Sequence, residues 1–158
     1  GKVRNNNTKN HQGFDYYALE GTEVYAVANG EVVYIVDPPL GDYGKQIVIK
    51  IDNSQYYAFY AHLLQIEVKK GDIVKKGDTI GKTGITGNAK TFRGLDQHLH
   101  FECRTAAKLG KGLDGRLSPN NIVLTKFYSQ GPKSEIQSSL GVYKVDKNNK
   151  QTKMDCIL

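Results

Sequence analysis

Between residues 22 and 63 the chain is a succession of short strand-like runs with only turn chemistry between them. "TEVYAVAN" (22–29), "GEVVYIVD" (30–37), "KQIVIKID" (45–52) and "QYYAFYAHL" (55–63) are separated by Gly, Pro, Asn and Asp signals, at the spacing expected of antiparallel sheets. Such runs are too short for helices and too rich in Val, Ile and Tyr to be loops. The 17 glycines and ten tyrosines, against one Met and no Trp, point the same way. The expected fold class is mainly β, an antiparallel sheet core read as a meander. With 158 residues, 39% of them hydrophobic, the chain can bury a real core. The best helix candidate is the short segment "SEIQSSL" (134–140).

Further along, "VKKGD" occurs at 68–72 and again at 74–78. Turn chemistry accounts for this echo, with the glycines in tight turns and the lysines in solvent. "GNAKTFRGLDQ" (87–97) lacks apolar periodicity and reads as a loop able to wall a cleft. Residues 1–10 are polar and irregular, and the pattern weakens after "GLDGRLSP" (112–119). We therefore expect a domain over 1–124 and a C-terminal tail or linker over 125–158, with "LGVYKV" (140–145) its one strand-like piece. The net charge of +6 suits a polyanionic neighbour or a merely solvated surface. No aromatic-basic motif favours nucleic acid, and no apolar run is long enough to span a membrane. No signal peptide is present, and the start at Gly1 reads as a fragment of a longer protein. Cys103 and Cys156 make no CxxC pair; Cys103 reads as a small buried hydrophobe rather than half of a disulfide.

The chemistry lies in "DQHLHFECR" (96–104). On a strand, His98, His100 and Glu102 face one way while Leu99, Phe101 and Cys103 face the other. Each of the four histidines has a distinctive setting: His11 opens "HQGFD", His62 lies in "FYAHL", and the other two make "HLH". If "HQGFD" is extended, His11 and Asp15 share a face, with Gly13 leaving space between them. One imidazole from "HLH" would complete two neutral nitrogens and one anionic oxygen, a set suited to catalytic zinc with a position open for water. These residues do not decide whether His98 or His100 is the ligand. The two remaining histidines can move a proton and steady an oxyanion. Taken singly, His11 and His62 also fit partly buried structural histidines.

Together, "HQGFDYYALEGTEVYAVANGEVV", "YGKQIVIKI", "FYAHL", "VKKGDIVKKGDTIGKTGITG" and "HLHFECR" resemble the lysostaphin-type (LytM-like) zinc peptidases of the M23 family, over about residues 4–119. The resemblance implies a LytM-like, barrel-sandwich hybrid type of sheet with loops forming a substrate groove. It implies one zinc ion per chain, held by His11, Asp15 and His100, with His62 and His98 acting in catalysis. It further implies hydrolysis of peptidoglycan stem-peptide cross-links or glycine bridges by a secreted or periplasmic protein, with a monomer as the plain default. "GNA…DQHLHFE" and "GKGLDGRLSP" are similar to members attached to secretion-system cargo and phage-tail-like proteins. That implies an antibacterial effector, with an immunity or inhibitor protein as partner. Two departures stand out. The segment between "TG" and "HLH" is longer than the common short link, and residues 1–10 lack the tyrosine that some members place near the metal. Tyr16, Tyr17, Tyr43 and Tyr60 are the open substitutes. Competing readings are a non-catalytic wall-binding or amidase-activating module, and a biotinyl or lipoyl carrier. The carrier reading lacks a Met-Lys turn and leaves four histidines unexplained.

Overall fold

The computed structural model describes residues 2–4, 9–10, 13–91, 97–110, 114–124, 143–145, 151–153 and 155–156. The helix expected at 134–140 lies outside them. Strands β1 (Lys2–Arg4) and β2 (Lys9–Asn10) pair with each other. The main sheet has nine strands, β3 (Phe14–Tyr17), β4 (Glu23–Tyr25), β5 (Gly30–Leu40), β6 (Gly44–Ile51), β7 (Tyr57–Ile66), β8 (Ile73–Val74), β9 (Thr79–Thr83), β10 (His98–Arg104) and β11 (Arg116–Leu117). Beyond it, β12 (Val123–Leu124) pairs with β15 (Asp155–Cys156), and β13 (Tyr143–Val145) with β14 (Gln151–Lys153). All described pairings are antiparallel. The described residues contain two 3-10 turns and no α-helix.

The meander expected from the turn signals holds for β5, β6 and β7 and then breaks. β8 returns to pair with β5, β9 pairs with both β4 and β7, and β10 joins the far side of β7. Strand β7 pairs with β6 along one edge and divides its other edge between two partners. Residues 57–61 pair with β10, while Leu63, Gln65 and Ile66 pair with β9. The change of partner falls at His62, whose φ of 58° is a left-handed backbone angle uncommon for a side chain of this kind. The 22–29 run is strand only over Glu23–Tyr25, because Ala26 turns its amide to Asp78 and Val27 turns its own to the Tyr60 hydroxyl.

A smaller cluster of Val48, Phe59 and Ala61 is buried apart from the main core, which lies on one face of the sheet. Val24, Val32, Ile47, Ile49, Tyr60, Leu63, Ile80, Leu99, Phe101 and Cys103 are all buried there, and each large apolar side chain contributes roughly 1.5–3 kcal/mol over its exposed state. Tyr16 and Tyr60 pack edge-on against Phe101. Cys103 is a free, buried thiol whose pKa burial pushes up to about 12. The alternation expected in "HLHFECR" is present, with Leu99, Phe101 and Cys103 in the core. The opposite, polar face of β10 is buried as well, at His100, Glu102 and Arg104.

The "VKKGD" echo forms two equivalent turns. The Lys69 and Lys75 amides donate to the carboxylates of Asp72 and Asp78 at 2.9 Å, and the lysines at 69, 70, 75 and 76 are exposed. The turns dock on neighbouring backbone, Gly71 N–H on Val32 C=O and Gly77 N–H on Ala26 C=O. Among the described residues, no helix is long and apolar enough to cross a membrane.

Candidate metal and catalytic centre

Strand register assembles the site. β3 lies against β10 with Asp15 directly opposite His100 and Tyr17 opposite His98, and β7 flanks the other side with Ala61 opposite His100. Residues facing one another in adjacent strands share a face, so the carboxylate and the imidazoles converge although 85 positions separate Asp15 from His100. The Asp15 Oδ1 atom lies 2.8 Å from His100 Nδ1 and 3.5 Å from His98 Nε2. The His62 ring centroid is 5.3 Å from that of His98 and 5.9 Å from that of His100. His62 and His100 are buried, whereas the Asp15 side chain is 37% exposed and opens the cluster to solvent.

Gly13, two residues before Asp15, has a role different from the spacing expected of it. A Cβ there would press into the Phe101 carbonyl and the Glu102 side chain, so only glycine lets this stretch lie flat on β10.

His62 is held from two directions. Its amide donates to the Tyr43 carbonyl at 2.8 Å, and its Nδ1 lies 2.8 Å from the Thr86 carbonyl oxygen. A carbonyl only accepts, so Nδ1 carries the proton and Nε2 keeps its lone pair. Burial, reinforced by the charges of His100 and His98, lowers the His62 pKa to about 4, leaving the ring neutral at physiological pH.

His100 sits between two carboxylates, Asp15 at Nδ1 and Glu102 at 2.9 Å from Nε2. Burial opposes charging of this ring, but hydrogen bonds to Asp15 and Glu102 outweigh it and raise its pKa to about 9. Glu102 is fully buried and also accepts from Arg104 Nε at 2.6 Å, Arg116 Nε at 3.0 Å and the Tyr43 hydroxyl at 2.8 Å. Burial would raise its pKa, yet the hydrogen bond and charge of His100 and the charge of Arg104 hold it at about 2. Arg104 stacks over the Phe59 ring at 3.5 Å, and Tyr43 lies nearly parallel to the His100 ring at 5.4 Å. Tyr43, pushed up to about 12 by burial and the Glu102 charge, remains a phenol that donates.

Thus the structure brings together Asp15, His62, His98 and His100; His11 lies outside the described residues. Among those described, no group of three His, Cys, Asp or Glu side chains is disposed to hold a metal ion. The Asp15 carboxylate oxygen and His100 Nδ1 are hydrogen-bond partners of each other at 2.8 Å, and a carboxylate oxygen and an imidazole nitrogen are donor types that zinc takes. Of the tyrosines left open by the sequence, Tyr16 is fully buried in the core and Tyr60 accepts from Val27 N–H. The Tyr43 hydroxyl points at Glu102. Sequence reasoning missed Thr86, Arg104 and Arg116, named Tyr43 only as one of four open tyrosines, and placed Glu102 on the right face without giving it a role.

The family model for peptidase family M23 matches residues 9–113. The chain belongs to peptidase family M23. It is 39% identical over 92 residues to peptidoglycan DD-endopeptidase ShyB of Vibrio cholerae, a match covering 58% of this chain and 20% of ShyB. Murein hydrolase activator NlpD of Salmonella dublin is 36% identical over 98 residues, covering 62% of this chain and 24% of NlpD. Among solved structures, the catalytic domain of the antimicrobial peptidase lysostaphin from Staphylococcus simulans superposes with a TM-score of 0.58 at 30% identity, covering 70% of this chain and 77% of that one. The chain therefore has the lysostaphin-like, mainly β antiparallel fold expected from its sequence, and spans about a quarter or less of the two curated relatives. M23 peptidases of this kind are zinc-dependent peptidoglycan hydrolases of the cell envelope.

Proposed function

We propose that this chain is a zinc-dependent endopeptidase that hydrolyses peptide cross-links of peptidoglycan. The observation carrying this reading is the convergence of Asp15, His98, His100 and His62 at one end of the sheet, on strands distant in sequence. His11, Asp15 and His100 would hold zinc, which supplies there an acidified water and a Lewis acid for the scissile carbonyl. His62 presents an unprotonated Nε2 and is kept neutral by burial, so it is suited to accept a proton. His98, edge-on to His62, can donate a hydrogen bond to the developing oxyanion. Tyr43 and Thr86 hold His62 in place.

The finer reading follows from the same residues. The domain over 1–124 acts in the periplasm or outside the cell as a monomer, with 125–158 as a C-terminal tail or linker. Delivery into a competitor as an antibacterial effector, with an immunity protein as partner, would suit the "GNA…DQHLHFE" and "GKGLDGRLSP" forms.

Mass spectrometry of Gram-negative sacculi digested with the protein tests this directly. Cross-linked dimers should give way to monomers, and neither chelator-treated protein nor His98→Ala should do this. A fully active His98→Ala variant would sink the assignment, and intact sacculi would call for glycine-bridged walls as the next substrate. The similarity to NlpD supports a second reading, an amidase-activating module. Zinc-loaded protein that cleaves neither wall type but stimulates an amidase would favour it.

A further inference from the structure

Glu102 is the most heavily partnered side chain at the site, yet no step above uses it. Its Oε2 accepts from the Nε atoms of Arg104 and Arg116, while Oε1 takes the Tyr43 hydroxyl and lies 2.9 Å from His100 Nε2. Arg116 is itself anchored, donating from a terminal nitrogen to the Gly110 carbonyl at 2.8 Å, and Arg104 is fixed over Phe59. The carboxylate is therefore clamped on both oxygens, and its partner His100 also reaches Asp15.

We propose that Glu102 is a positioning residue for the metal centre. It accepts the Nε2 proton of His100 and so leaves Nδ1 as the nitrogen presented beside Asp15. A histidine ligand is oriented by the hydrogen bond its other nitrogen makes, and a carboxylate in that place also raises its basicity. The pair Arg104 and Arg116 prevents the carboxylate from rotating away, and Tyr43, stacked on the His100 ring, fixes the ring plane. This arrangement gives a physical reason, independent of family resemblance, why His100 rather than His98 serves as the ligand. The inference rests on the zinc reading above.

The test is zinc affinity, measured by competition with a chromophoric chelator for wild type and Glu102→Gln, with folding followed by thermal unfolding. Wild type should bind one zinc, and a folded Glu102→Gln should bind about 10- to 100-fold more weakly, the range for losing such a partner. The d–d absorption bands of the cobalt-substituted variant should shift, which a merely structural role would not produce. Because Glu102→Gln leaves two buried arginines without their carboxylate, a second measurement uses wild type alone. Nitrogen-15 correlation spectra of the zinc-loaded protein should show His100 protonated at Nε2 and ligating through Nδ1. Wild-type affinity in folded Glu102→Gln, or a His100 that ligates through Nε2, overturns the inference alone. A wild type that takes up no zinc overturns the zinc reading and this inference with it.

Discussion

His62 holds a left-handed backbone angle where β7 passes from β10 to β9, with its Nδ1 proton tied to Thr86. Its pKa is lowered to about 4, so the unfolded chain takes up a proton near the ordinary imidazole value while the buried ring does not. The stability His62 contributes is fully present above about pH 6.5 and is lost as pH falls towards 4. For the metal-free protein in chelator, urea unfolding at about pH 5 against pH 7 should show this residue costing on the order of 2 kcal/mol. His62→Gln should lose that much less across the same interval; an unchanged difference would mean that the ring is not kept neutral. His100 titrates in the opposite sense, its raised pKa placing its pH dependence above this window. That these residues are candidates for chemistry was legible in the sequence because all four histidines have distinctive settings. Their protonation was not, because Thr86 reaches His62 across 24 positions and Asp15 reaches His100 through strand pairing.

Two elements meet at the wall of the site, the β5–β6 hairpin and the 3-10 turn Gly87–Ala89. Gly44 and Gly87 cross there, and a Cβ on either would press into the backbone of the other's segment. Asn88 N–H donates to the Asp42 carbonyl, and the Thr86 hydroxyl accepts from Lys45 N–H and donates to the Leu63 carbonyl. The contact thereby sets the carbonyl that orients His62. Gly41 offers an internal control, with a φ of 67° against 66° for Gly44 but open space around it. Gly41→Ala should cost only the backbone penalty of about 1–2 kcal/mol. Gly44→Ala should cost clearly more by thermal unfolding and also depress hydrolysis, whereas equal losses would show that the crossing does not bear on the site. The segment 87–97 was expected to be a loop walling a cleft. Its first residues are a 3-10 turn packed on β6 and β7, and residues 92–96 lie outside those described.

At the scale of the whole molecule, the proposed metal centre would tie β3 to β10, two strands that also pair directly and share the Tyr16–Phe101 contact. A ligand that binds only the folded state stabilises it by mass action, about 2.7 kcal/mol at a hundredfold excess over the dissociation constant. Zinc should therefore raise the unfolding temperature of the wild type, and chelation should reverse the rise. Asp15→Asn should unfold at a temperature that no longer responds to zinc; a full response in that variant would remove Asp15 from the ligand set.

The sequence by itself determined the β class, the two Lys-Gly turns, whose Asp caps the structure then showed, and the two-faced "HLHFECR" strand. Each follows from short-range rules: a period of two along a strand, or a side chain reaching the amide three residues away. The M23 relationship came instead from the resemblance of several motifs taken together. Only the tertiary structure decided that β7 divides between β10 and β9, that β3 lies on β10 in the register opposing Asp15 to His100, and that Glu102 is clamped by Arg104, Arg116 and Tyr43. Those outcomes depend on which strands become neighbours. A residue's face is written into its own strand, but the group opposite it is supplied by another part of the chain.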